Sequence, residues 1–162
     1  MIASIFGHTA VLELLLRAGA STEAKNKNEE TARMITSENG HNALVEISLR
    51  LGADKGAKDN AAIAASTRGR AITVKLLLEM ASQGEHEHNN TALTVASRKG
   101  RTMIIELLLK HGSEEDSKKS ALFVASVNGY ARIVRLLFEA GAELELELIQ
   151  TQMQTKQVRS VS

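Results

Sequence analysis

The chain has no cysteine, which removes disulfides, thiolate metal sites and thiol nucleophiles together and leaves the redox compartment open. It has no proline either, so Pro-rich linkers and collagen-like sequence are excluded. Aromatic residues are only 2% of the total although 43% are hydrophobic. A core must therefore be built from Leu, Ile, Val and Ala. A net charge of +1 gives no general pull toward nucleic acid or an anionic membrane. No run reaches the roughly 18 apolar residues needed to span a bilayer. The apolar stretch over residues 1–16 has no basic residue ahead of it, and His8 and Glu13 interrupt it. It reads as structure, not as a secretory signal. What is present is a chain of 162 residues, 24% of them charged. That is one domain's length, with a charge content that argues against wholesale disorder.

The dominant feature is an internal repeat. An apolar string occurs as Leu12-Glu13-Leu14-Leu15-Leu16, then as Val45-Glu46-Ile47-Ser48-Leu49 and Val74-Lys75-Leu76-Leu77-Leu78. It returns as Ile105-Glu106-Leu107-Leu108-Leu109 and Val134-Arg135-Leu136-Leu137-Phe138. A glycine precedes each string, at Gly7, Gly40, Gly69, Gly100 and Gly129, with spacings of 33, 29, 31 and 29. A second small residue always follows 12 positions later, at Gly19, Gly52, Ala81, Gly112 and Gly141. Upstream, the strings opened by Thr31, Asn60, Thr91 and Ser120 begin 9 residues before their glycine every time. All the length variation sits in the remaining connector, of 12, 8, 10 and 8 steps. The part on either side of the first glycine is constant because it packs.

Local structure follows from that frame. The Thr, Asn or Ser that opens each upstream string suits a helix N-cap, where its side-chain oxygen accepts from an orphan backbone N–H. The glycine suits the left-handed residue that ends a helix. A second helix follows, with apolar residues at positions such as Ile104, Ile105, Leu107, Leu108 and Leu109. That set covers more than a narrow stripe, and so short a helix is marginal alone in water. It must bury its face against neighbours, which predicts stacked helix pairs.

These units resemble the ankyrin repeat family. Thr91-Ala92-Leu93-Thr94-Val95-Ala96-Ser97-Arg98-Lys99-Gly100-Arg101 is similar to the family's first helix, and Ile105-Glu106-Leu107-Leu108-Leu109-Lys110-His111-Gly112 to its second helix and exit turn. Glu38-Asn39-Gly40-His41 and Arg17-Ala18-Gly19-Ala20 are close to family idiom. The resemblance covers residues 1 to about 142, as one partial unit and four fuller ones. It implies an all-α solenoid of stacked helix pairs with short or truncated β-hairpin connectors, and an intracellular, cytoplasmic location. The rest, 143–162, reads as a strand-like alternation over 143–149 followed by a polar tail without structure.

Departures from the family pattern are informative. The expected Pro after the opening Thr is Ala32, Ala61, Ala92 and Ala121, and the expected His is Met34, Ile63, Thr94 and Phe123. Arg33 and Ala62 stand where the family keeps a buried Leu, and Ser48 interrupts a buried triplet. The second unit, and in part the third, should be the soft centre of the stack. On this reading Arg33→Leu stabilises. The 8-step connectors imply truncated fingers.

Few residues invite chemistry. Glu85-His86-Glu87-His88 could place two imidazoles on one side of an extended connector, but a closed zinc site needs more ligands and second-shell support. A wet finger tip is the simpler account. Ser4, Ser37, Ser66, Ser97 and Ser126 recur in register, which marks close helix packing; a nucleophile would occur once, beside a base. His8 and His41 share a turn position with Arg70, Arg101 and Tyr130. The charge runs Glu114-Glu115-Asp116 and Lys118-Lys119 read as loop tips. No catalytic constellation, cofactor site or metal site emerges.

The binding candidates come from the resemblance, in which the pair before each first glycine faces a concave groove. That lines the groove with Glu38 and Asn39, Thr67 and Arg68, Arg98 and Lys99, then Val127 and Asn128. Arg68, Arg70, Arg98, Lys99 and Arg101 form a basic cluster there, which suits a partner protein segment carrying Asp, Glu or phosphate. Nucleic acid fits poorly without aromatic stacking platforms. The expected function is a non-catalytic protein–protein interaction module, working as a scaffold; the alternative is an architectural spacer in a larger regulatory chain. Residues 1–4 match 94–97, inside a first helix, so the array should begin with an open apolar edge. Continuation in a longer protein, or self-association, would cover it.

Overall fold

The structure is a computed structural model that describes residues 1–21, 23–50, 55–80 and 87–142, with backbone alone at 49, 55–59 and 87–89. Among the described residues ten helices form five consecutive pairs. They are α1 (Ile2–Phe6) with α2 (Thr9–Arg17), α3 (Ala32–Asn39) with α4 (Asn42–Arg50), and α5 (Lys55–Arg68) with α6 (Ala71–Glu79). The array continues as α7 (Glu87–Arg98) with α8 (Thr102–Lys110) and α9 (Glu115–Val127) with α10 (Ala131–Glu139). The sequence segment 143–162 lies outside the described residues.

The first helices stack in one layer (α1, α3, α5, α7, α9) and the second helices in another, each pair packed together. The first-helix layer is in much closer contact than the second. Its buried faces explain why: Ala61, Ala65, Ser66, Ala92, Ala96, Ser97, Ala121 and Ala125 are small, so backbones approach closely. Larger side chains such as Leu44, Ile104, Leu108 and Leu137 fill the space around the second helices. The side of the closer layer is therefore concave.

Among the described residues one connector keeps a finger. Before α3, Lys25 and Thr31 form an isolated antiparallel bridge, and Asn26 Oδ1 accepts from the backbone N–H groups of Asn28 and Glu30 at 2.9 and 3.0 Å. Thr31 then caps α3, its hydroxyl accepting from Met34 N at 3.3 Å. The other three predicted caps, Asn60, Thr91 and Ser120, lie inside helices that start at Lys55, Glu87 and Glu115. Among the described residues of the shorter connectors, those just before the opener extend the following helix by a turn. Glu114-Glu115-Asp116 is thus the start of α9 and not a loop tip; Glu115 and Asp116 sit in its first turn, where the helix dipole favours carboxylates. Lys118 pairs with Glu115 at 2.9 Å and donates to the Ala140 carbonyl at 3.0 Å, tying α9 to the end of α10.

Each first glycine is left-handed, as at Gly40 with φ 75°, but a second demand falls on it. A Cβ on Gly7 would stand 2.8 Å from the His41 ring; on Gly40, Gly69 and Gly100 it would stand 3.1 Å from Arg70, Arg101 and Tyr130. The turn residues of the second to fifth units therefore lie over the glycine of the unit before. His41 Nε2 is 3.1 Å from the Ile5 carbonyl, and Arg70 Nε donates to the Glu38 carbonyl at 2.9 Å. These contacts satisfy carbonyls that helix ends leave free.

The hydrophobic core runs continuously from Val45 to Ala142, while Ala3, Leu12 and Leu44 form a separate cluster. The division falls in the second unit, where Arg33, Thr36, Ser37 and Ser48 are buried. Arg33 occupies the inward position, with 1% of its surface exposed. Its Nε and Nη2 donate to the Ser48 hydroxyl and carbonyl, each at 3.4 Å, and Nη1 lies 3.4 Å from Glu23 Oε1. The same two positions hold Leu93 with Leu108 and Leu122 with Leu137 in the fourth and fifth units. Arg33 and Ser48 thus replace a Leu–Leu pair together. The expectation that Arg33→Leu alone stabilises supposes an arginine without a partner; Arg33 has partners, and the Ser48 hydroxyl it reaches donates in turn to the Val45 carbonyl at 2.8 Å.

Ser4, Ser37, Ser66 and Ser97 are fully buried, and their hydroxyls find no hydrogen-bond partner. A buried orphan hydroxyl costs stability. Ser97→Ala is therefore expected to raise the unfolding free energy by about 1 kcal/mol in urea denaturation. A loss of similar size would show that the hydroxyl is bonded in solution.

Candidate protein-binding groove

Repeating geometry brings the last residues of the first helices to one edge of the concave side. Each helix stops at its left-handed glycine, so the pair before the glycine recurs at the same place in every unit. The eight candidates Glu38, Asn39, Thr67, Arg68, Arg98, Lys99, Val127 and Asn128 stand at these places on α3, α5, α7 and α9 or directly after them.

Their side chains divide into four groups. Thr67 donates to the Ile63 carbonyl at 2.8 Å, Asn39 to the Ile35 carbonyl at 2.9 Å and Asn128 to the Val124 carbonyl at 2.7 Å. These three are bonded back to their own helices. Arg68 reaches across to the preceding unit, with Nη2 3.3 Å from Glu38 Oε2. Both partners are solvent-accessible, so the pair contributes little stability, but it compensates the charge of Arg68. Arg98 and Lys99 are exposed and have no ion pair or hydrogen bond from their side chains among the described residues. Val127 is exposed and apolar.

The basic cluster read from the sequence therefore divides by what its members touch. Arg70 and Arg101 cover the glycines of preceding units, and Arg68 is paired. Arg70 and Arg101 have no ion pair among the described residues, but among the eight groove candidates the uncompensated positive charge is at the end of α7. Sequence reasoning also left out one pair. Ile5 and Phe6 hold the same offset from Gly7 as the other pairs from their glycines, and both are exposed, Phe6 stacking on His8 with centroids 5.9 Å apart. The glycine register was the signal that could have found them. The groove edge thus runs from apolar at α1, through a neutralised pair at α3 and α5, to cationic at α7 and Val127 at α9.

The model for ankyrin repeats, built as three copies, matches residues 1–84 and 61–147. The chain belongs to the ankyrin repeat family. Ankyrin repeats are generally protein–protein interaction modules. Comparison with curated proteins returned no match. Glu85 and His86 lie outside the described residues, as do the side chains of Glu87 and His88. Among the described residues no three His, Cys, Asp or Glu side chains gather as metal ligands, and no helix is long and apolar enough to cross a membrane.

Proposed function

We propose that this ankyrin array is a non-catalytic module that holds an extended segment of a partner protein along the groove edge, with an acidic or phosphorylated residue against Arg98 and Lys99. The observation that carries the reading is the uncompensated charge of those two side chains, beside an Arg68 that already has Glu38. Presentation is rigid because each pair is fixed by its own helix end and by the glycine contact to the next unit. Specificity then lies in the combination along the edge. Packed helices stand roughly 8–10 Å apart, so Phe6 and Arg98, three units apart, are separated by roughly 30 Å. An extended chain covers that in about nine residues at roughly 3.3 Å each. The preferred partner carries an apolar residue at one end of such a stretch and an acidic or phosphorylated one at the other.

Synthetic nine- to twelve-residue peptides of that pattern, with neutral counterparts, test this by fluorescence anisotropy. Binding of the acidic peptide is expected to weaken about tenfold, some 1.4 kcal/mol, in the Arg98→Glu/Lys99→Glu variant, and to fall with added salt. Equal binding of acidic and neutral peptides, unchanged in the variant, would remove the groove assignment. Retention of every cellular association by a variant mutated at all eight groove positions would favour the spacer role.

A further inference from the structure

The second, third and fourth units have neighbours on both sides, so a side chain exposed there is not exposed for lack of a next unit. Among their described residues two large hydrophobic side chains are exposed, Ile72 at 67% and Met103 at 65%. They fall at one register position, three residues after Gly69 and Gly100, in the first turns of α6 and α8. Each follows an exposed arginine by two residues, Arg70 and Arg101, and neither arginine has an ion pair among the described residues. The glycine contacts set the order along this edge. Arg101 lies over Gly69, which leads into Ile72, and Tyr130 lies over Gly100, which leads into Met103. The edge therefore presents Arg70, Ile72, Arg101, Met103 and Tyr130 in succession, cations alternating with apolar side chains. Glu38, before the turn that Arg70 covers, and Glu106, one helical turn beyond Met103, are already held by Arg68 and Arg132, each at 3.3 Å.

We propose that this edge docks on the surface of a bilayer containing anionic lipid. Ile72 and Met103 project from an edge and not into a groove, which suits a medium that admits apolar side chains at the headgroup boundary without a matching pocket. The arginines stay at headgroup level, where a guanidinium meets phosphate as a fork of donors. Arg70 keeps its terminal nitrogens for this while Nε donates to the Glu38 carbonyl at 2.9 Å. Tyr130 adds an apolar ring with a polar tip. Adjacent units stand roughly 8–10 Å apart, close to the distance between neighbouring headgroups in a fluid leaflet, so the two arginines meet separate phosphates. The net charge of +1 does not oppose docking, because the attraction falls off within a Debye length and is set by the edge alone. An acidic protein would satisfy the arginines but would need two pockets at the same spacing for Ile72 and Met103. The proposal uses neither Arg98 nor Lys99 and does not rest on the groove reading.

Flotation of the full chain with vesicles of phosphatidylcholine alone, and of phosphatidylcholine with about one-third phosphatidylserine, tests it. The chain is expected to float with the anionic vesicles and not with the neutral ones, and added salt should weaken binding. Arg70→Gln/Arg101→Gln should weaken partitioning about 25-fold, from about fivefold for each charge. Ile72→Ser/Met103→Ser should weaken it about tenfold. Arg17→Gln/Lys110→Gln removes the same charge in the last turns of α2 and α8 and should leave partitioning unchanged. All six side chains are exposed, so folding should persist, as circular dichroism checks. Failure to float with anionic vesicles, equal flotation with both kinds, indifference to Ile72→Ser/Met103→Ser, or an equal loss in Arg17→Gln/Lys110→Gln would overturn the proposal. So would a chain that ignores vesicles but binds soluble polyglutamate through Arg70 and Arg101, which would give the edge to an acidic protein.

Discussion

Leu108→Ala is expected to lower the unfolding free energy by about 2–5 kcal/mol, read from the shift of a urea transition at constant slope. Leu108 is fully buried in the middle of α8, within a core that also holds Leu93, Ile104, Ile105 and Leu122. Truncation removes the transfer energy of its methyl groups and leaves a cavity that helices held on both sides cannot close. Leu14, in the equivalent helix of the first unit, is 69% exposed. Its alanine variant should change stability by less than about 0.5 kcal/mol. Similar losses at the two positions would mean that the stack does not bury its helices as described.

The second large effect is a coupling between Arg33 and Ser48. Arg33→Leu removes the buried donor to the Ser48 hydroxyl and carbonyl and is expected to cost about 1–3 kcal/mol. Glu23 is partly exposed and can return to water, so it adds little. Ser48→Leu alone forces a larger side chain against the guanidinium and costs a similar amount. The double variant rebuilds the pair that Leu93 and Leu108 make two units on. It is expected to be at least as stable as the original chain, with a coupling energy of about 1–3 kcal/mol in the double-mutant cycle. Additive losses, or a gain from Arg33→Leu alone, would show that the two side chains do not act as a unit.

The repeat was legible in the sequence because packing holds the spacing around the first glycine constant, and that spacing located the helix pairs and the left-handed ends. The openers at Asn60, Thr91 and Ser120 misled because a polar residue that can cap can equally sit in a helix; Ser120 donates back to the Asp116 carbonyl. Only connector length decided between finger and helix extension. Arg33 and Ser48 each looked like a defect along the chain, and only their meeting across 15 positions shows the compensation. In the groove, register placed the candidate pairs, but it could not show that Arg68 is paired with Glu38 while Arg98 and Lys99 are not. The covering of each glycine by His41, Arg70, Arg101 or Tyr130 was hidden for a related reason. Those residues share a position and a shape that can lie flat, but no single chemical type.

Amide hydrogen exchange on the intact chain and on Leu108→Ala tests whether each unit is held only by its neighbours. Protection should be strongest in α5, α7, α8 and α9, and the substitution should accelerate exchange most from α6 to α10 while leaving α1 and α2 nearly unchanged, since the core divides in the second unit. Equal acceleration in all ten helices would contradict it.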